Sequence, residues 1–119
     1  MSAIDAGHTP PTRLVVGISG ASGAVLGVRL LEVLQGGPVE THLVVSSAAH
    51  TTIEHETGLS PAQVGRLAHT AYDPHDLAAG IASGSFATRG MVIAPCSIKT
   101  LSAVANSYSD SLLARAADV

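Results

Sequence analysis

The sequence predicts one α/β domain, a doubly wound parallel sheet with helices on its faces, and three observations carry that prediction. Leu14–Ile18 is a continuous apolar run, the pattern of a parallel strand buried on both sides, and Val39–Val45 and Met91–Ala94 read as two further short strands. Each run leads through small residues into a stretch with helical periodicity. The resulting order, β-α-β-α-(α)-β-α with long crossovers, is that of parallel strands. The length, 119 residues, allows one domain at most, and the 46% apolar content supports a core. With no Trp, one Phe and two Tyr, that core must be aliphatic.

Residues 1–12, closed by Pro10-Pro11, read as a flexible tail, and 13–119 as the folded domain. A first helix opens at Ser22 or Gly23 and carries Val25, Val28, Leu31 and Leu34 at helical spacing until Gly36-Gly37-Pro38 stops it. The second strand ends in Ser46-Ser47 and a helix follows to about Thr57. Ser60-Pro61 starts a short helix over Ala62–His69. Residues 70–90 are rich in turn formers. The third strand then leads into a helix from Ser97 to about Ala114. Three strands leave a thin core and an uncovered edge, so the sequence is expected to be part of a longer domain.

Two strand-to-helix loops stand out, Gly17-Ile-Ser-Gly-Ala-Ser-Gly23 and Ala94-Pro-Cys-Ser-Ile-Lys-Thr100. Backbone N–H groups at such loops converge on one point and suit an anion. The glycine spacing, Gly-x-x-Gly-x-x-Gly, is not the Gly-x-Gly-x-x-Gly of dinucleotide sites, and Ser46-Ser47 supplies no ribose-binding carboxylate. A Walker loop would need a Gly-Lys-Ser/Thr run. A short-chain dehydrogenase would need Tyr-x-x-x-Lys, whereas Tyr72 and Tyr108 are followed at that offset by Asp76 and Leu112. A mononucleotide with one phosphate fits better. The glycines alone equally suit a tight turn; Ser19 and Ser22 favour binding because hydroxyls add donors. Lys99 is the single lysine and sits in the second loop.

Other classes recede. The formal charge is −3 and no basic stripe exists, which argues against nucleic acid. No apolar run approaches the roughly 20 residues of a membrane span. A lone Cys96 excludes an internal disulfide and fits a cytoplasmic protein. The six histidines show no metal-ligand spacing and are expected at the surface.

Taken in order, the two loops, Glu40-Thr-His-Leu-Val-Val-Ser46, Ser83-Gly-Ser-Phe86 and Leu113-Ala-Arg-Ala-Ala-Asp-Val119 resemble the flavin prenyltransferases of the UbiX type, over nearly all of 13–119. The resemblance implies a flavodoxin-like, Rossmann-like homo-oligomer, a dodecamer in the family. It joins a dimethylallyl group from dimethylallyl phosphate to N5 and C6 of reduced FMN without a metal. The prenylated FMN then serves UbiD-type decarboxylases. Carried over by motif, Gly20, Ala21, Ser22, Ser46, Ser97, Ile98, Lys99 and Thr100 are expected to bind FMN. Ser83, Gly84 and Ser85 are expected near the prenyl phosphate, and Ser22 and Glu56 in the chemistry, Glu56 handling protons. The family's further strands, with the basic and tyrosine residues that hold the prenyl phosphate, have no counterpart here. The rival is the related FMN-dependent decarboxylase of cysteine conjugates, whose loop reads Pro-Ala-Ser-Ala-Asn-Thr; Lys99 argues against it. A non-catalytic flavin-binding fragment is the other alternative.

Overall fold

The computed structural model describes residues 11–77, 79–83, 86–106 and 111–119. Its sheet has four parallel strands: β1 (Thr12–Ile18), β2 (Val39–Val45), β3 (Thr70–Tyr72) and β4 (Gly90–Ile93), in the order β3-β2-β1-β4. Thr12 pairs with Val39, Leu14 with Gly90 and His42 with Thr70, so the carboxyl ends of β1, β2 and β4 finish side by side. The helices are α1 (Ala24–Leu34), α2 (Ala49–Thr57), α3 (Pro61–Gly65), α4 (Ile98–Ala105) and α5 (Leu112–Asp118), with a 3-10 turn at Gly80–Ala82.

Alternation along the strands builds two core layers. On one face Val16, Ile18 and Leu43 pack against Val28 and Leu31 of α1 and Ile53 of α2. On the other, Val15 and Val44 meet Ile81, Leu112 and Leu113. Leu31 is fully buried, a burial that contributes about 2 kcal/mol. Gly27 lets α1 lie directly on the sheet edge: a Cβ there would collide with the Ala94 carbonyl oxygen and with the Ile18 side chain.

Several expectations need correction. β1 begins at Thr12, inside the stretch read as tail, while residues 1–10 lie outside the described residues. α1 begins at Ala24, because Gly23 has a left-handed φ of 97° that no helix continues. α3 ends at Gly65, not His69. The three-residue β3 adds a strand that has no apolar run. The long helix expected over Ser97–Ala114 is two helices. α4 ends at Ala105 with Asn106 as its C-cap, and the Ser111 hydroxyl accepts from the Ala114 N–H to start α5.

The histidines also divide. His42 is buried on β2, with Nδ1 2.8 Å from the Tyr72 hydroxyl and Nε2 3.2 Å from Glu40 Oε1. Arg13 Nε lies 3.5 Å from the same carboxylate, and its guanidinium sits 5.0 Å from the Phe86 ring centroid. The His42 hydrogen bond holds the Glu40 carboxyl below the usual glutamate range, with His69 and Arg13 adding to the effect. Burial raises the Tyr72 phenol above its ordinary value. This cluster is a satisfied polar network beside the second core layer.

Candidate functional site

A cavity of about 540 Å³ opens at the carboxyl ends of the strands, within the size range of small-molecule sites. Four segments wall it. Gly20 comes from the β1–α1 loop, and Ser46, Ser47 and Ala48 from the β2–α2 loop. Pro74 and His75 come from the segment after β3. Ser97, Lys99, Thr100 and Ala103 come from the β4–α4 loop and α4, and Ser111, Leu113 and Ala114 close the far side.

The first loop is held rigidly. Ser19 is fully buried; its N–H and Oγ donate to the Pro95 carbonyl at 3.1 and 2.8 Å, and its Oγ accepts from the Ser97 N–H. Ser19 therefore ties the two loops together, and its hydroxyl is committed, contrary to the expectation that it donates to an anion. A Cβ on Gly20 would stand 2.8 Å from the Ala48 Cβ, so only glycine lets these two loops touch. The N–H groups of Gly23 and Val25, at the start of α1, donate to the Glu56 carboxylate at 3.0 and 3.1 Å. Those two bonds, Gly23 first, hold the Glu56 carboxyl below the usual range against a smaller opposing effect of desolvation. A residue 33 positions away has filled the anion-binding end of α1.

The second strand end differs. The Ser46 N–H donates to the Ile18 carbonyl at 2.9 Å, but the Ser46 Oγ is buried without a hydrogen-bond partner, the one such side-chain atom among the described residues. α2 starts here with no side-chain cap. Its first N–H groups turn back on the loop instead, Ala49 to the Ser46 carbonyl at 3.0 Å and His50 to the Ser47 carbonyl at 3.3 Å. Ser47 Oγ lies 3.2 Å from His75 Nε2. In the β4–α4 loop, Ser97 caps α4 by accepting from the Thr100 N–H at 3.1 Å and donates to Thr100 Oγ1.

Of the residues expected in the site, Gly20, Ser46, Ser97, Lys99 and Thr100 are brought together on the cavity wall. Ala21 and Ser22 belong to the same loop but lie outside the wall, Ser22 exposed. Ile98 is 87% exposed and also outside it. Glu56 caps α1 and does not reach the wall. Ser83 follows the 3-10 turn at some remove in the chain, exposed, and Gly84 and Ser85 lie outside the described residues. Ser47, His75 and Ser111 line the cavity without having been singled out as site residues. Ser47 was legible as the neighbour of Ser46; His75 needed the fold. Among the described residues no cluster of His, Cys, Asp or Glu could hold a metal, and no helix is long and apolar enough to cross a membrane.

A parallel sheet with a hydroxyl-lined, glycine-edged cleft at its carboxyl ends is the architecture in which open α/β domains bind their ligands. The flavoprotein family matches residues 3–119, and the chain belongs to that family. Over 108 residues it is 60% identical to the flavin prenyltransferase UbiX of Escherichia coli strain K12, covering 90% of this chain and 57% of that protein. The chain thus spans a little over half the length of this relative. A crystal structure of AnUbiX (PadA1) in complex with FMN and dimethylallyl pyrophosphate superposes with a TM-score of 0.89 at 44% identity, over 92% of this chain and 58% of that one. A dodecameric FMN-dependent UbiX-like decarboxylase from Escherichia coli O157:H7 gives 0.88 at 53% identity, over 90% and 58%. The flavodoxin-like parallel architecture is therefore shared with these structures.

Proposed function

We propose that this protein acts as a flavin prenyltransferase, transferring the dimethylallyl group of dimethylallyl phosphate to reduced FMN. The observation that carries the reading is the Ser46 hydroxyl, buried without a partner on a cavity shared with Lys99 and the uncapped start of α2. A buried hydroxyl left unbonded costs about 1–3 kcal/mol, so a site with this orphan fits a bound acceptor or donor. The family and the 60% identity supply the class of ligand.

When bound, reduced FMN would supply N5 and C6, the two positions joined by different carbons of the dimethylallyl group, with phosphate as the leaving group and the flavin giving up a proton at each. Gly20, Ala21 and Ser22 would hold the flavin from the first loop, Ser46 from β2, and Ser97, Ile98, Lys99 and Thr100 from the second. Ser83, Gly84 and Ser85 would flank the prenyl phosphate. Ser22 adjoins Gly23, whose N–H the Glu56 carboxylate holds. An ionised Glu56 suits accepting a proton in this corner, with Ser22 as its neighbour, better than supplying one. Leu26 and Leu101, both large, apolar and exposed, suit burial between copies of the chain, and the UbiX-like decarboxylase it resembles is a dodecamer. The product would pass to a UbiD-type decarboxylase. A reduced flavin and the free Cys96 beside the loop both suit the reducing cytoplasm.

The test is incubation with reduced FMN and dimethylallyl phosphate, followed by the mass of the flavin. A flavin heavier by one dimethylallyl group supports the proposal. Release of CO2 from a peptide ending in cysteine, with the flavin unchanged, would assign the decarboxylase reading instead. Bound but unchanged FMN with neither reaction would leave a non-catalytic flavin-binding protein.

A further inference from the structure

His75 belongs to none of the segments on which the functional reading rests, yet it forms part of the cavity wall beside the orphaned serine. The segment that carries it is anchored twice: the His75 N–H donates to Asp73 Oδ1 at 2.8 Å, and the Pro74 carbonyl accepts from the Leu112 N–H at 3.0 Å. That anchoring sets the imidazole 3.2 Å from Ser47 Oγ, on the wall that continues through Ser46.

The proton between Ser47 and His75 can run either way. With Nε2 bare, the Ser47 hydroxyl donates to the ring and is lost to the cavity. With Nε2 protonated, the ring donates to Ser47 Oγ, and the hydroxyl hydrogen is released toward a ligand. An anion at this wall selects the second arrangement, and a doubly protonated ring adds positive charge to the cavity that Lys99 also lines. Of the charged and titratable groups, Asp73 and Asp76 lie on its own segment, Lys99 lines the same cavity, and the packed elements α2 and α5 carry His50 in the first turn and Arg115 after Ala114.

We propose that Ser47 and His75 form a coupled donor pair for the phosphate of the bound mononucleotide, so that the protonation of His75 tunes how tightly that ligand is retained. The proposal rests on the flavin reading above. Histidine is the side chain that changes charge across the physiological range, which makes pH the natural probe.

The experiment measures FMN and riboflavin affinity by flavin fluorescence at about pH 6 and about pH 8, for the parent protein and for His75→Phe, His75→Gln, Ser47→Ala and the Ser47→Ala/His75→Phe double variant. Because the FMN phosphate itself titrates, the readout is the ratio of variant to parent at each pH. For His75→Phe the expected result is a loss of about fivefold for FMN at the lower pH, the ordinary worth of a partly exposed charge-assisted hydrogen bond. The loss should shrink at the higher pH, and riboflavin, which lacks the phosphate, should be unaffected. His75→Gln keeps an amide donor without the charge, so it should bind with an affinity between the two and a ratio that no longer depends on pH. The double variant should lose no more than either single variant, the signature of a coupled pair. Equal FMN affinity in His75→Phe and parent would overturn the proposal. So would equal losses for FMN and riboflavin, which would make His75 only a shaper of the wall. A parent that binds neither flavin would instead overturn the flavin reading and this proposal with it.

Discussion

The starts of α1 and α2 stand at the carboxyl ends of neighbouring strands, and the chain treats them in opposite ways. At α1 the free N–H groups of Gly23 and Val25 are taken by the Glu56 carboxylate. The loop before it is bolted to the second loop through Ser19. At α2 there is no side-chain cap, no acidic residue in the first turn, and a buried Ser46 hydroxyl with no partner. Two helix starts of the same kind therefore differ in what they are for. The first is satisfied by a distant carboxylate and acts as scaffold; the second closes on its own backbone through Ala49 and His50 and leaves the Ser46 hydroxyl unpartnered on the cavity wall. The glycine-rich appearance of a loop does not by itself mark it as the anion site, since glycine can serve close packing just as well.

The comparison breaks most visibly at Gly27. A Cβ there meets backbone at the Ala94 carbonyl, and backbone cannot rotate away. Gly27→Ala should cost about 3 kcal/mol, the upper range for overpacking. The urea midpoint should fall accordingly, and flavin affinity should fall with it, because α1 carries the first loop. A midpoint within error of the parent would show that α1 does not lie as close to the second loop as described.

Ser46→Ala sharpens the contrast from the other side. The substitution removes a hydroxyl that has no partner in the protein, so the unliganded protein should be as stable as the parent or more stable by up to about 1 kcal/mol. FMN affinity should nevertheless drop about tenfold, the worth of one hydrogen bond to a charged group. Thermal unfolding with and without FMN reads both effects in one experiment. Parallel losses of stability and affinity would mean that Ser46 is structural. A smaller loss, a few-fold in FMN affinity, is expected for Lys99→Ala, because Lys99 is exposed at the cavity edge and its charge is screened by water.

Those outcomes also measure what the sequence could reveal. β1 was legible as a continuous apolar run, and β2 and β4 as short strand-like segments running straight into loops of small residues. β3, three residues with Ala71 exposed between Thr70 and Tyr72, has no such mark. The break between α4 and α5 was masked by Leu101 and Leu112 falling on one helical pattern, although the run from Asn106 to Ser111 is, apart from Tyr108, made of turn formers. Of the site, Ser46 and the Ser97–Thr100 loop were visible because both follow strand ends directly. What sequence could not show is the partner of each hydroxyl. Ser19 and Ser46 look equivalent as letters, yet one bonds across 76 positions to Pro95 and the other to nothing. The same limit hid His75, whose place on the wall depends on a loop docking against α5.

Glu56 gives the smallest expected effect and the one that separates its two possible roles. Its folded-state acidity is strengthened by the Gly23 and Val25 N–H groups. A carboxyl group with a lowered folded pKa contributes stability that is fully present above its unfolded value and is lost as pH falls through the folded one. Glu56→Gln keeps the shape and an acceptor oxygen but removes the charge. The melting temperature should therefore fall modestly at neutral pH, and the gap between parent and variant should close as the solution is acidified below the usual glutamate range. Glu40 shifts in the same direction but is common to both proteins, so it cancels in the difference. The effect is small because the carboxylate is open to solvent and screened. A group kept protonated to deliver a proton would behave in the reverse sense, with parent and variant alike at low pH and the parent losing stability relative to Gln as pH rises. Melting curves of the two proteins across the acid range decide between a carboxylate that holds the first loop and an acid held in reserve for the chemistry.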